Sequence, residues 1–360
     1  MQIMAHTLFS NLIEWSESQY SQLPWRKKRT LYKTLVSEIM LQQTTVGTVL
    51  NHFERFLVEY PTIFDLAKST EEEVCISWKG LGYYRRARSL RSVAIQVVED
   101  YEGKIPTNLE DLQMLKGIGP YTANAIVAIG ADKKALAVDA NLERVLARFY
   151  GIEVEKGLKL QKRLWSDFAA KKIMAEMDGL SARALNEAMM DLGRIICQAR
   201  KAACMICPLA PGCVARKSGD PLSYPVEGTK LEVKEDLFLR VLRVVVRDGK
   251  KILVYQKGAK EWLSGQWELP TFIFETNDEK VLQYPRVKSK QDFLELPMIK
   301  TGITKYNIYN HISEMSLKDF EKLSKKIDVS YEFKNNDAKL NVSTATLKVL
   351  KELEKNREKV

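Results

Sequence analysis

This sequence has few histidines, few cysteines and no long hydrophobic run. Three of its 360 residues are histidine and five are cysteine. It contains no run of about 18 apolar residues, which excludes a membrane-spanning helix of ordinary length. Residues 1–20 have the periodicity of an amphipathic helix and lack the continuous apolar segment of a secretory signal. We therefore expect a chain that neither crosses a membrane nor enters the secretory route.

Four of the five cysteines are clustered, with six, two and five residues between successive members: Cys197, Cys204, Cys207 and Cys213. In a reducing compartment, such a cluster indicates a metal centre rather than a set of disulfides. Thiolates suit both zinc and iron–sulfur clusters. The spacing therefore predicts a metal site but leaves its metal open.

The net charge is strongly positive, at +10, with an isoelectric point near 9.1. This favours a polyanionic partner such as nucleic acid, although a generic basic protein has the same composition. A length of 360 residues with 45% hydrophobic residues is enough for two domains that each have a core.

Helical periodicity dominates residues 1–214 and predicts helices at 4–18, 30–42, 45–59, 140–149, 158–176 and 181–197. Residues 215–235 combine prolines, glycines and charges, which predicts a linker. In residues 236–360 the pattern changes to strands, predicted at 237–246, 252–255, 267–274, 303–312 and 328–333. A terminal helix is predicted at 345–357. The first domain should be mainly α, and the second α+β.

A glycine-containing turn at residues 115–123 precedes an apolar helical pattern. Gly117 and Gly119 allow a tight turn whose N–H groups come close to a ligand, and Pro120 suits the first turn of a helix. A turn that leads into a helix N-terminus can bind an anion such as phosphate. An ordinary helix–turn–helix connection is the alternative.

Two carboxylates are candidates for catalysis. Glu38 has the apolar neighbours Leu35 and Ile39 on a predicted helix, so if it is buried its pKa should rise, which would keep a proton available near neutral pH. Asp139 stands just before another helical stripe. The alternatives are a solvent-facing Glu38 and an Asp139 that serves only as a helix N-cap.

Together, the segments at residues 37–44, 115–123 and 138–141 and the cysteine cluster resemble the helix-hairpin-helix DNA glycosylases that carry an iron–sulfur cluster. More narrowly, they are similar to MutY-type adenine DNA glycosylases. The resemblance covers residues 1–214 closely and the remainder weakly. It implies a [4Fe–4S] cluster on the four cysteines and a helix-hairpin-helix glycosylase domain.

The resemblance also implies catalytic roles. Glu38 would be the general acid at adenine N7, Asp139 would stabilise or trap the sugar cation, and Asn141 would help position the site. Endonuclease III-like relatives have a lysine at the hairpin position of Tyr121, where it forms a Schiff base. Tyrosine cannot do so, which favours hydrolysis by water with Tyr121 near the sugar.

Further residues match the family's DNA-binding positions. Gln43 and Tyr84, preferred here to Tyr83, match intercalating and stacking groups. Trp25 and Arg26 match the lining of the adenine pocket, and Asp191 matches a carboxylate that contacts the purine edge. Gly117 and Gly119 would bind a phosphate through the backbone.

The second domain contains the segment Gly265-Gln266-Trp267-Glu268-Leu269-Pro270, which resembles the Nudix-like C-terminal domain of MutY-type enzymes. The glutamate-rich box that binds magnesium is absent from the sequence, so a recognition module is expected. The family inspects 8-oxoguanine with a Phe-Ser-His loop. Its best match here is Tyr309-Asn310-His311, in which two of the three residues differ.

These observations predict a monofunctional adenine DNA glycosylase of base excision repair. Its expected partner is double-stranded DNA in which adenine is mispaired with 8-oxoguanine or guanine. We expect a monomer that is cytoplasmic and nucleoid-associated if the source is a bacterium. The alternatives are an endonuclease III-like glycosylase/lyase that acts on oxidised pyrimidines, and a non-catalytic, cluster-bearing DNA-binding protein.

Overall fold

The first part of the chain folds into helices and the second into strands with flanking helices. The computed structural model describes residues 2–357 apart from 170–172, 174, 176, 177, 229–235, 259, 289, 290, 304, 326 and 337–339. The chain divides into two units, Met1–Lys230 and Leu231–Val360. Among the described helices, none is long and apolar enough to cross a membrane.

The helices of the first unit are α1 (Gln2–Tyr20), α2 (Leu31–Leu41), α3 (Val46–Glu59), α4 (Ile63–Lys68), α5 (Glu71–Ser77), α6 (Arg85–Tyr101), α7 (Leu109–Met114), α8 (Pro120–Ala125), α9 (Ala140–Tyr150), α10 (Leu158–Ala169), α11 (Ala182–Ile195) and α12 (Val214–Lys217). Short 3-10 turns lie at Pro24–Arg26, Cys204–Ile206 and Pro221–Ser223, and α8 continues as a π-helical turn, Ile126–Gly130. The predicted helices are confirmed within a few residues, except that the end of the predicted 158–176 helix lies largely outside the described residues.

Two hydrophobic clusters form the core of the first unit. One surrounds α2, α3 and α6 and includes Ile39, Phe53 and Leu90. The other surrounds α1, α9 and α11 and includes Leu12 and Leu146. Glu38 lies on a helix of the first cluster, whereas Asp139 begins a helix of the second. The two candidate carboxylates are therefore presented by different clusters of the same unit.

The strands of the second unit are β1 (Leu237–Val245), β2 (Arg247–Asp248), β3 (Lys251–Gln256), β4 (Trp267–Glu268), β5 (Thr271–Thr276), β6 (Met298–Ile303), β7 (Tyr306–Glu314) and β8 (Glu332–Asn335). Its helices are α13 (Asp292–Glu295), α14 (Leu317–Ser324) and α15 (Thr344–Arg357). One sheet has the order β5-β1-β7-β6, with β1 and β7 parallel. In the second sheet β3 pairs with β2, β4 and β8.

The strand predictions are confirmed in type but not in every boundary. The predicted strand at 267–274 is two strands, because Pro270 separates β4 from β5. The predicted strand at 303–312 is the end of β6 and most of β7, which pair antiparallel. The second unit is therefore α+β, as expected.

Much of the predicted linker packs on the first unit. Residues 215–228 include the end of α12, and Lys156 forms an ion pair with Glu227. The backbone oxygen of Tyr224 accepts a hydrogen bond from Arg148 at 2.9 Å. The rest of the predicted linker, residues 229–235, lies outside the described residues.

Candidate active site

Glu38 lies in the eighth position of α2, on the side that faces the core, and is 5% exposed. The hydroxyl of Tyr121 donates a hydrogen bond to Oε2 of Glu38, with the oxygens 2.6 Å apart. Tyr121 belongs to α8, so the glycine-containing turn brings it to the acid. Two of the predicted site residues are thus in contact, a pairing that the sequence did not predict, although they are 83 positions apart in the chain.

Burial raises the pKa of Glu38 from its ordinary 4.5 to about 7. The Tyr121 hydrogen bond opposes this rise because it stabilises the carboxylate, while the negative charges of Glu187 and Asp139 add to it. A carboxyl with this pKa holds a proton in a large fraction of molecules at pH 7. It can therefore serve as a general acid.

Asp139 is the N-cap of α9. Its Oδ1 accepts from the backbone N–H groups of Asn141 and Leu142 at 2.9 and 2.8 Å, and its Oδ2 accepts from the side-chain amide of Asn141 at 2.7 Å. Burial nevertheless raises its pKa above the ordinary value. The N-cap interpretation is thus confirmed, and the same bonds hold the carboxylate in a fixed orientation.

Arg144 connects this carboxylate to the cysteine segment, a contact that the sequence analysis missed. Its Nη2 donates to Oδ1 of Asn141 at 3.0 Å and to the backbone oxygen of Gly193 at 2.7 Å, while its Nε donates to the backbone oxygen of Cys197 at 2.7 Å. Gly193 is tightly packed there, because an added Cβ would lie 2.6 Å from Cβ of Asn141. A single sequence offers no signal that separates such an arginine from one on a solvated helix face.

Trp25 and Arg26 lie in the 3-10 turn before α2. Trp25 is buried and contacts the edge of Phe53, with the ring centroids 5.7 Å apart. Arg26 forms an ion pair with Asp191 at 2.8 Å. The carboxylate of Asp191 also accepts from Ser16 at 2.7 Å and from Arg194 at 3.2 Å, so it is held within the protein. Its contact with a base remains a prediction.

Glu187 and Arg29 belong to the same polar region and were not assigned roles from sequence. Arg29 contacts Glu187 at 2.6 Å, and Arg26 contacts the same carboxylate at 3.3 Å. The negative charge of Glu187 acts on Glu38 and raises its pKa. These side chains therefore form part of the electrostatic environment of Glu38.

The structure corrects the choice between the two tyrosines. Tyr84 is 6% exposed and belongs to the hydrophobic core, whereas Tyr83 is 62% exposed. The reason is the tight turn before α6, where Tyr83 adopts a left-handed backbone with a φ of 47°. Gln43 is also exposed and left-handed, with a φ of 54°. Of the three candidates Gln43, Tyr83 and Tyr84, the first two are thus the ones whose side chains are exposed to a ligand.

Gly117 has a structural reason for being glycine, whereas Gly119 has open space around it. Gly117 has a φ of 105°, which disfavours a side chain, and a Cβ added there would lie 3.0 Å from Cβ of Ser89. Gly119 precedes α8 with an extended backbone. The turn therefore has the predicted shape, while its contact with phosphate remains a prediction.

The four clustered cysteines line one narrow cavity together with Arg148 and Arg216. Burial raises the pKa of Cys207 to about 12 and also raises that of Cys213, and the charges of the other thiols contribute in the same direction. Arg148 is itself buried and its Nη1 lies 3.3 Å from the sulfur of Cys197. Within the described residues, no group of three or more metal-ligating side chains has the arrangement for holding a metal ion.

Tyr309, Asn310 and His311, which match the recognition loop of the family, lie in a strand and not in a loop. All three residues lie within β7, which is an inner strand of its sheet. The pairing of β7 with β1 and β6 uses the backbone on both sides. The half-buried Tyr309 has the cations of Arg240 and Lys300 near its ring, at 5.5 and 5.3 Å.

The other two side chains of this triplet are buried. The amide of Asn310 accepts from Arg243 at 2.6 Å and donates to Thr301 at 2.9 Å. His311 is 3% exposed, and burial lowers its pKa, although the backbone of Phe293 opposes the shift. Neither ring nitrogen has a hydrogen bond of ordinary geometry. Asn310 and His311 are therefore not presented to a DNA base in this structure.

Comparison with known proteins shows that the chain is similar to DNA repair proteins. A family profile described as "HhH-GPD superfamily base excision DNA repair protein" matches residues 36–170. An adenine DNA glycosylase of Buchnera aphidicola subsp. Schizaphis graminum (strain Sg) is 35% identical over 233 residues, which cover 63% of this chain and 65% of that protein. The chain thus spans slightly less than two thirds of that relative's length.

Two similar proteins are named for a different base. A thymine/uracil-DNA glycosylase of Methanothermobacter thermautotrophicus is 33% identical over 207 residues, or 57% of this chain and 90% of that protein. A solved structure of a thermostable thymine-DNA glycosylase shares 31% identity with a TM-score of 0.52, and the match covers 59% of this chain and 97% of that one. The chain is therefore similar both to a protein named for adenine and to proteins named for thymine.

Proposed function

We propose a function from one premise: the chain belongs to the HhH-GPD superfamily of base excision DNA repair proteins. Within it, we propose a monofunctional adenine DNA glycosylase that acts on double-stranded DNA. The observation that carries this proposal is the buried carboxyl of Glu38, which contacts Tyr121 and has its pKa raised to about 7. Such an acid suits a purine, because N7 is a basic ring nitrogen that thymine and uracil lack.

The chemistry follows from the two carboxylates. Once the base has left the stack, Glu38 gives its proton to N7, and the bond between C1′ and N9 breaks with its electron pair going to the purine. The sugar is then cationic, and Asp139 stabilises it by its negative charge. Water adds its oxygen to C1′ and returns a proton to Glu38, which leaves free adenine and an abasic site.

Tyr121 and Asn141 hold the carboxyl groups of Glu38 and Asp139 in place. Tyr121 donates to Oε2 of Glu38, which leaves Oε1 to carry the acidic proton. Asn141 holds Oδ2 of Asp139 through its side-chain amide. Tyr121 has no amine, so it cannot form the Schiff base that a lyase reaction requires. This supports hydrolysis alone rather than the combined glycosylase and lyase activity of the endonuclease III-like alternative.

We propose further that the four clustered cysteines hold a [4Fe–4S] cluster. Their shared cavity and their soft thiol donors fit such a group. Arg148 would stabilise the thiolate of Cys197 through its hydrogen bond. When bound, the cluster would cross-link the segment after α11. Arg144, which contacts both Cys197 and Asn141, would then connect this segment to the catalytic carboxylate.

The second unit is proposed to be a Nudix-like recognition module rather than a second enzyme. Glu268, in the segment that resembles the Nudix-like domain, is fully buried and paired with Arg243 at 2.7 Å and with Lys257 at 3.3 Å. These ion pairs lower its pKa despite burial and give Glu268 a structural role. We propose that the base opposite the target adenine is 8-oxoguanine or guanine, and that Asn310 and His311 do not contribute to its recognition.

The test is single-turnover base release from a panel of duplexes. Adenine would be placed opposite 8-oxoguanine, guanine or thymine, and thymine or uracil opposite guanine. Release of adenine opposite 8-oxoguanine and guanine, with no release of thymine or uracil, supports the proposal. Preferential release of thymine or uracil would contradict it and favour the specificity for which the Methanothermobacter relative is named. Similar rates opposite 8-oxoguanine and guanine would show weak discrimination of the lesion.

A further inference from the structure

One guanidinium connects the two turns that carry Gln43 and Tyr83. Arg86, in the first turn of α6, is 7% exposed. Its Nη1 and Nη2 donate to six acceptors, which are the backbone oxygens of Ile39, Met40, Gln42, Leu81 and Gly82 and the hydroxyl of Thr44. The first three oxygens belong to the end of α2, and the next two belong to the turn before α6.

The same guanidinium also contacts aromatic rings. It lies 5.5 Å from the ring centroid of Trp78, which is buried, and 5.7 Å from that of Tyr83, which is exposed. Cation–π contacts of this kind favour one orientation of each ring. Arg86 therefore restrains the side chain of Tyr83 as well as the backbone beneath it.

Both exposed residues have a backbone conformation that needs such support. Gln43 and Tyr83 have φ values of 54° and 47°, in the left-handed region that costs about 1–2 kcal/mol for residues other than glycine. Such conformations persist when the surrounding structure over-determines them, and they are concentrated at functional sites. Here Arg86 is a buried side chain that binds both turns, while Trp78 also donates to the backbone oxygen of Gly82 at 3.1 Å.

We propose that Arg86 is a positioning residue that holds Gln43 and Tyr83 as one rigid wedge, which enters the duplex when the target base leaves the stack. This inference rests on the proposed function, because base extrusion creates the space that a wedge fills. Gln43 and Tyr83 contact the DNA, and Arg86 acts only through them. Lysine cannot replace Arg86, since one ammonium does not have the planar fork that serves both turns.

The experiment compares wild type with Arg86→Lys in the full chain on two DNA substrates. In the first, adenine is paired in a duplex opposite 8-oxoguanine. In the second, the same adenine is in a bulge and already out of the stack. The matched control is Arg91→Lys, because Arg91 lies on the same helix and donates to the backbone oxygen of Ser69 at 2.6 Å, away from both turns.

Base release and base unstacking are both measured. Unstacking is followed by the fluorescence of a 2-aminopurine placed beside the target adenine. We expect Arg86→Lys to slow release from the paired duplex about tenfold, the loss expected when hydrogen bonds to a charged group are weakened, and to reduce the fluorescence rise on binding. Release from the bulge should stay close to wild type, and Arg91→Lys should behave as wild type throughout.

A less disruptive variant keeps the proposal testable in case Arg86→Lys misfolds. Thr44→Val removes the hydroxyl that accepts from Nη2 at 2.8 Å. It should show the same pattern to a smaller extent, and Thr44→Ser should restore wild-type behaviour. An equal loss on both substrates, or an unchanged fluorescence rise with Arg86→Lys and Thr44→Val, overturns the proposal. If wild type releases no adenine from either substrate, the proposed function fails, while the fluorescence still decides whether Arg86 supports insertion.

Discussion

The hydrogen bond from Tyr121 to Glu38 should set the pH range of base release. The perturbation is Tyr121→Phe, which removes the hydroxyl that lies 2.6 Å from Oε2 and leaves the ring in place. The protonated form of Glu38 is the active one, so release should fall about tenfold per pH unit above the pKa of about 7. The variant changes that pKa without removing the acid itself.

The direction and size of the change follow from the contact. The Tyr121 hydroxyl stabilises the carboxylate and lowers its pKa, and therefore its loss raises the pKa further. A hydrogen bond to a charged group is worth about 1.5–3 kcal/mol, and one pKa unit corresponds to about 1.4 kcal/mol. The alkaline limb of the pH profile should consequently move to higher pH by about one unit or more.

The assay is single-turnover adenine release at saturating enzyme from pH 5 to pH 10. The midpoint of the alkaline limb is compared, since the maximal rate also depends on the position of the sugar. The control is Tyr32→Phe, because Tyr32 lies on the same helix as Glu38 and donates to the backbone oxygen of Tyr60 at 2.8 Å. A midpoint that stays in place or moves to lower pH in Tyr121→Phe would refute this account of the acid.

Three further changes have defined outcomes. Glu38→Gln should stabilise the fold at pH 8 by up to about 3 kcal/mol, because a pKa raised from 4.5 to about 7 makes the charged form of Glu38 destabilising. The variant should have no such effect below pH 4.5, and thermal denaturation at both pH values measures the difference. Gly193→Ala should slow adenine release about tenfold with little change in DNA affinity, because the new Cβ would displace Asn141. Single-turnover kinetics at several enzyme concentrations separate the release rate from the DNA affinity. Glu268→Gln should destabilise the second unit by about 3–5 kcal/mol in urea denaturation, because it leaves buried cations unpaired.

The glycine change and the Glu268 change each have a matched comparison. Gly47→Ala places a Cβ in open space and should leave the release rate unchanged. Glu275→Gln removes a half-exposed partner of Arg240 and should change stability by less than about 1 kcal/mol. A Gly193→Ala variant with the wild-type rate would contradict the proposed role of Asn141, and a Glu268→Gln variant of wild-type stability would contradict the buried ion pairs.

Local pattern was enough to predict the helices, but it left the burial of Glu38 open. The sequence predicted that Leu35 and Ile39 face inward, and the structure buries them together with Glu38. An N-cap was one interpretation of Asp139, because this residue directly precedes a segment with helical periodicity, and the structure shows that it caps α9. These features depend on residues a few positions apart, which sequence periodicity reports well.

Features that depend on distant residues or on a single dihedral angle were missed. Tyr83 and Tyr84 differ in exposure because one left-handed residue turns the chain, and periodicity carries no information on that angle. Asn310 lies in a strand that the sequence predicted, but its burial was missed because it depends on Arg243 of another strand, which binds its side chain. Arg86 is buried and Arg144 is half-buried, and both bind partners from other helices or segments.

The most direct test of the central claim compares wild type with Glu38→Gln on a duplex with adenine opposite 8-oxoguanine. Products are analysed with and without hot alkali. The account predicts that wild type yields free adenine and strand breaks only after alkali, and that Glu38→Gln is slower by at least about a hundredfold, the contribution of a general acid. Strand breaks without alkali would show a lyase, and adenine release by Glu38→Gln at the wild-type rate would show that Glu38 is not the proton donor.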